Sequence, residues 1–116
     1  MIKNYKKVVV IAPHPDDETL GVGGTIYRLA KLGAEISILL VSGHLPPLYP
    51  ETSFEKTYEE ALKAFKILKI KNYKFLKIPA TFLNKEDISS LYKKIWIKTC
   101  FHPWHIPMSF RECFIQ

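Results

Sequence analysis

Apolar and polar positions alternate along the chain in blocks of different period. Residues 7–12, Lys-Val-Val-Val-Ile-Ala, are β-branched and apolar with no polar interruption, the pattern of a strand buried on both faces of a parallel sheet, and they predict the central strand. Pro13 to Thr19 reads as a polar turn. From Leu20, the apolar residues Val22, Ile26, Leu29 and Ala30 recur at helical spacing until Gly33, which suits the position just past a helix end. Ile36, Ile38, Leu39, Leu40 and Val41 form a second buried strand ending in Ser42-Gly43-His44. Leu45 to Ser53 holds Pro46, Pro47 and Pro50, which supply no backbone donors, so this stretch is a surface loop. Phe54, Tyr58, Ala61, Leu62, Phe65 and Leu68 then fall on one helical face, with Thr52 or Ser53 as N-cap. Tyr73–Ile78 reads as a third strand, Ile88, Leu91, Tyr92 and Ile95 as a third amphipathic helix, and Trp96–Phe101 as a fourth strand.

The order β-α-β-α-β-α-β implies right-handed crossovers and an α/β, Rossmann-like fold, a mostly parallel sheet with helices on both faces. With 116 residues, the chain has the length of one domain. The longest apolar stretches run about six residues, against the roughly 20 of a membrane-spanning helix, so no span is expected. The lysines near the N-terminus precede an apolar run too short for a secretory core, and that run meets Asp16, Asp17 and Glu18 directly; a cytoplasmic protein is expected. The formal net charge of +6 comes mostly from scattered lysines, with Arg28 and Arg111 the only arginines, a balance that argues for solvated faces and against nucleic acid as a partner. Cys100 and Cys113 are too few and too widely spaced for a disulfide framework or a CxxC metal site.

In such sheets ligands bind at the carboxyl ends of the strands. The loops there carry Pro13-His14-Pro15-Asp16-Asp17-Glu18, Ser42-Gly43-His44 and His102-Pro103-Trp104-His105, and so hold all four histidines. Three acids beside a histidine on one turn repel each other unless a cation sits among them. His14 and Asp17, three residues apart, can both reach one divalent ion, while Asp16 diverges from its neighbour and can face a bound water. An ion lowers the pKa of water and polarises a carbonyl, and a free carboxylate accepts the proton: the parts of a hydrolase. The plainer alternative is that Asp16 or Asp17 caps the first helix and His14 is an ordinary turn residue. Gly21, Gly23 and Gly24 suggest a close approach of the backbone to another group.

The string Ala-Pro-His-Pro-Asp-Asp-Glu-Thr-Leu-Gly-Val-Gly-Gly, residues 12–24, placed directly after the first strand, resembles the signature of the PIG-L/LmbE-like deacetylases. The resemblance continues more weakly through Val41-Ser42-Gly43 and from Tyr58 to Ile70. It implies a Rossmann-like fold and zinc-dependent removal of N-acetyl groups from amino sugars such as N-acetylglucosamine or their conjugates, small-molecule substrates. It also implies His14 and Asp17 as zinc ligands, Asp16 as general base and a supporting role for Glu60. The family's later His-Pro-Asp-His motif is matched by His102-Pro103-Trp104-His105, with tryptophan in place of aspartate. On that match His105 is the third ligand and His102 assists the tetrahedral intermediate. Iron can share such ligands with zinc.

Residues 1–95 are thus expected to form the N-terminal part of a PIG-L/LmbE-like domain. Residues 96–116, which hold both cysteines, both tryptophans and two histidines, form an atypical tail in which the family's later strands are missing. The alternative expectation is a catalytically inactive family member with weak or no metal binding, self-associating through an uncovered sheet edge. Two rival folds fare worse. A dinucleotide site lacks the G-x-G-x-x-G spacing and would set pyrophosphate against three acids, and a phosphoacceptor receiver needs an aspartate after its third strand, where Pro79-Ala80 stands.

Overall fold

The computed structural model describes residues 5–80, together with 82, 89–91 and 93. The described elements run β1 (Lys7–Ala12), α1 (Asp17–Lys31), β2 (Glu35–Gly43), α2 (Thr52–Ile67) and β3 (Asn72–Pro79). The strands form a three-stranded parallel sheet in the order β1-β2-β3. Val8 pairs with Ile36, Ala12 with Leu40, and Leu40 with Phe75, and an irregularity between Leu40 and Ser42 shifts the β3 register near the strand ends. Among the described residues the middle strand is β2, not β1 as the apolar run of residues 7–12 predicts. The physical difference lies in burial. Ile36 to Gly43 are buried without a break, whereas β1 alternates buried with half-buried positions.

Both crossovers step in the same direction across the sheet, so α1 and α2 pack on one face. Val8, Val10, Ala12, Ile36, Ile38 and Leu40 meet Ile26 and Leu29 of α1 and Ala61, Phe65 and Leu68 from α2 and its end in a single core. Phe65 is 1% exposed and is the largest of the fully buried side chains among the described residues. The predicted third helix lies mostly outside the described residues, and the fourth strand, Trp96–Phe101, wholly outside them.

Helix α1 starts three residues earlier than its apolar spacing suggests, because the Thr19 and Leu20 amides both donate to the Asp16 carbonyl and carry the winding back into the acids. Asp17 and Glu18 in its first turn and Arg28 and Lys31 in its last complement the helix dipole. It ends as expected at Gly33, whose φ of +89° is the left-handed conformation that glycine adopts without strain. Helix α2 also starts early. Thr52 and Ser53 lie inside it rather than capping it, since the Ser53 amide already donates to Pro50, and Glu51 at the cap makes no side-chain bond.

The expected close approach at Gly21, Gly23 and Gly24 is not found among the described residues. A Cβ at Gly21 or Gly24 would meet nothing within 4 Å, and one at Gly23 would make only ordinary contact with Thr19 and Leu68. These glycines are exposed or face a neighbouring side chain at normal distance. The tight position is Gly43, where a Cβ would come within 2.9 Å of the Phe54 ring, so the end of β2 and the start of α2 touch through a missing side chain.

Candidate active site

Strand β1 ends in the turn that carries the histidine and the acids. The His14 backbone amide donates to Asp17 Oδ2 at 3.1 Å, and His14 Nδ1 lies 3.2 Å from the same oxygen. The Asp17 amide returns a long bond of 3.4 Å to the His14 carbonyl. The i, i+3 closure of the turn therefore faces the two side chains inward on one another, as their spacing suggested. Both side chains remain half-exposed. Two ligand atoms each about 2.0–2.1 Å from a tetrahedral ion stand roughly 3.3–3.4 Å apart, so the pair is already spaced as adjacent metal ligands. Without an ion the contact is a hydrogen bond that needs a proton between the two atoms; a cation takes the place of that proton. Among the described residues, no group of three or more His, Cys, Asp or Glu side chains gathers to hold a metal.

Asp16 occupies the N-cap position of α1 with φ 88° and ψ −25°, and its side chain makes no capping bond. The plain capping alternative therefore does not describe Asp16. A left-handed backbone costs a non-glycine residue on the order of 1 kcal/mol, with aspartate among the more tolerant. Something must hold it there. Glu18, 2% exposed, reaches back so that Oε2 accepts the Asp16 amide at 3.1 Å, while Oε1 accepts the Thr19 hydroxyl at 2.8 Å. Glu18 thereby satisfies an amide at the helix start, and among the described residues the exposed Asp16 carboxylate has no capping bond.

Strand β2 is pinned to this turn. The Ser42 amide and hydroxyl both donate to the Pro13 carbonyl, at 2.9 and 2.6 Å, which ties the residue before His14 to the end of the neighbouring strand. Two residues further on, His44 Nδ1 lies 2.9 Å from Thr57 Oγ1 of α2, and the His44 ring packs on Tyr49 with centroids 4.3 Å apart. A groove of about 400 Å³ runs between β1 and α1 with Pro13 and Asp17 on its wall. A larger hollow of about 550 Å³ lies elsewhere, walled by Phe54 and Tyr58 of α2 and Tyr73 and Phe75 of β3, and no residue of the histidine-acid turn lines it.

Of the residues singled out from the sequence, the structure brings His14 and Asp17 into contact and sets Asp16 beside them. Glu60 is exposed on α2. His102 and His105 lie outside the described residues. Sequence reasoning assigned no role to Glu18, Ser42 or Thr57. Glu18 belongs to the acid cluster but only its burial separates it from the other two, and the Ser42 and Thr57 contacts join residues 29 and 13 positions apart that no local pattern links.

Two curated proteins to which the chain is similar are deacetylases by name. The chain is 44% identical over 39 residues to the 1D-myo-inositol 2-acetamido-2-deoxy-alpha-D-glucopyranoside deacetylase of Rhodococcus erythropolis, a match over 34% of this chain and 13% of that one. It is 46% identical over 39 residues to the diacetylchitobiose deacetylase of Thermococcus kodakarensis, covering 34% of this chain and 15% of the relative. Among solved structures, the N,N'-diacetylchitobiose deacetylase from Pyrococcus horikoshii superposes with a TM-score of 0.57 at 28% identity, over 64% of this chain and 30% of that one. A conserved protein from Thermus thermophilus superposes with a TM-score of 0.68 at 27% identity, over 82% and 41%. The chain thus spans well under half the length of these relatives. With the PIG-L family model, described as GlcNAc-PI de-N-acetylase, matching residues 9–104 and the acid turn built as described, the chain belongs to the PIG-L family.

Proposed function

We propose that this chain carries out zinc-dependent hydrolysis of an N-acetyl group on an amino sugar or amino-sugar conjugate. The observation that carries the reading is the 3.2 Å approach of His14 Nδ1 to Asp17 Oδ2 beside an Asp16 carboxylate that makes no capping bond. The relatives are deacetylases named for amino-sugar substrates, which supports the substrate class. His14 and Asp17 would hold the ion, with His105 as third ligand. When bound, the ion supplies a Lewis acid that polarises the acetyl carbonyl and acidifies water.

The chain's own residues do the rest. Asp16 accepts a proton from the attacking water, a role for which its exposed and uncapped carboxylate is free. His102 stabilises the tetrahedral oxyanion, and proton delivery to the amine releases acetate. Glu18 keeps the Asp16 backbone in its left-handed conformation while the reaction proceeds.

The test is zinc content and affinity of the full chain, read beside hydrolysis of N,N'-diacetylchitobiose. Asp16→Asn should keep zinc and lose turnover, whereas His14→Ala should lose both. Undiminished turnover in Asp16→Asn rejects the assigned base. His105→Ala should weaken zinc binding sharply, since catalytic zinc sites supply three protein ligands. Zinc binding indifferent to His105→Ala, and weak throughout, would instead support the inactive reading set out from the sequence.

A further inference from the structure

His44 takes no part in the chemistry above, yet its ring is held on two sides. Thr57 Oγ1 donates its one hydrogen to the Ser53 carbonyl at 2.7 Å. Toward His44 Nδ1, 2.9 Å away, the same oxygen can then only accept. The proton of the neutral imidazole therefore sits on Nδ1, and Nε2 carries the lone pair. The ring contact with Tyr49 fixes the plane of the imidazole. Among the described residues Nε2 has no hydrogen-bond partner, and His44 does not join His14 and Asp17 in a metal-binding group.

Its position gives that lone pair a purpose. His44 follows β2 directly, on the carboxyl edge of the sheet, and β2 is tied to the His14 turn by the two Ser42 bonds to Pro13. Neighbouring strands lie about 4.8 Å apart, so the histidine stands one strand over from the reacting groups, on the side where ligands of parallel sheets gather. A fixed acceptor at that edge suits a ligand rich in hydroxyl donors.

We propose that His44 is a substrate-binding residue whose Nε2 accepts a hydrogen bond from a hydroxyl group of the bound amino sugar, with Thr57 as the positioning residue that sets its tautomer. The proposal rests on the deacetylase reading and extends it to the sugar ring.

Long-range proton–nitrogen spectra of the histidine rings, recorded on the full 116-residue chain before and during addition of N,N'-diacetylchitobiose, test this directly. The expected result is an Nδ1–H tautomer for His44 in the free chain and a shift of its Nε2 resonance on sugar binding. His44→Ala and Thr57→Val should each weaken the sugar by about three- to tenfold, the worth of one neutral hydrogen bond. His44→Gln, which can place an oxygen where Nε2 stood, and Thr57→Ser should recover most of that loss. Zinc affinity should stay at the wild-type value in all four, which shows that the fold and the His14–Asp17 pair are intact. A proton found on Nε2 of the free chain overturns the proposal. So does sugar binding that moves the His14 signals but leaves the His44 ring unchanged, with His44→Ala binding as tightly as wild type; the deacetylase reading would survive that result. Failure of the wild-type chain to bind the sugar at all overturns both.

Discussion

The left-handed backbone of Asp16 makes a prediction in which the usual order of two substitutions reverses. At an ordinary helical position, glycine is less stable than alanine by about 1 kcal/mol. At φ 88° alanine bears the full cost of the left-handed region, roughly 1–2 kcal/mol, and glycine bears none. Glycine gives back about 0.4–1 kcal/mol through the greater freedom of its unfolded chain. Asp16→Gly should therefore be more stable than Asp16→Ala by about 1 kcal/mol, a few degrees in Tm for a domain of this size. Asp16→Asn tolerates the same conformation and loses only the charge at the α1 N-terminus, about 0.3–1 kcal/mol, so it provides the control for the dipole contribution. Urea denaturation of the three variants measures the order, and hydrolysis of N,N'-diacetylchitobiose measures the consequence for chemistry, which is loss of turnover in all three. Asp16→Ala equal to or more stable than Asp16→Gly would refute the backbone argument. Turnover retained in any of them would refute the assignment of Asp16 as base.

Two further outcomes follow from the core and from the aromatic cluster. Phe65→Ala removes the largest fully buried side chain among the described residues and should cost about 3–5 kcal/mol, a large share of the stability of a small domain. Burial raises the Tyr73 phenol above its ordinary pKa of 10.0, and a hydrogen bond and charge interaction with Tyr58 push in the same direction. A group raised in the folded state stabilises fully below its unfolded pKa and loses that contribution as pH rises through the folded value, so stability should fall above pH 10.0 and Tyr73→Phe should flatten the fall. Tyrosinate absorbance and denaturation at alkaline pH measure both; a Tyr73→Phe profile identical to wild type would show that this phenol is not the group responsible.

Much of the architecture could be read from local pattern because buried parallel strands and amphipathic helices write their periods into consecutive residues. Ile36 to Val41 could hardly be anything but a buried strand, and Gly33 marked a helix end that the backbone confirms. Strand order was less accessible. Residues 7–12 and 36–41 carry the same apolar signal, and only the pairing of β2 with both neighbours decides which lies in the middle. Helix starts were misplaced for a related reason. The bonds that wind α1 back to Asp17 and α2 back to Thr52 are made by turn carbonyls at Asp16 and Pro50, which apolar spacing does not sense. At the candidate site, the His14–Asp17 contact followed from a three-residue spacing on a turn. The buried state of Glu18 and the His44–Thr57 bond depend on how separate segments pack, and no run of neighbouring residues announces them.

Glu18 shows how two demands on one helix start are shared between acids two residues apart. A carboxylate at an N-cap ordinarily spends itself on the backbone, and a carboxylate that performs acid–base work must be free of such bonds. Here the backward reach of Glu18 gives the Asp16 amide an acceptor, although it precedes the first helical residue. Fraying at the front of α1 and release of the Asp16 backbone become one event rather than two. The first turn of this helix is thereby a latch, closed by a side chain that is itself buried.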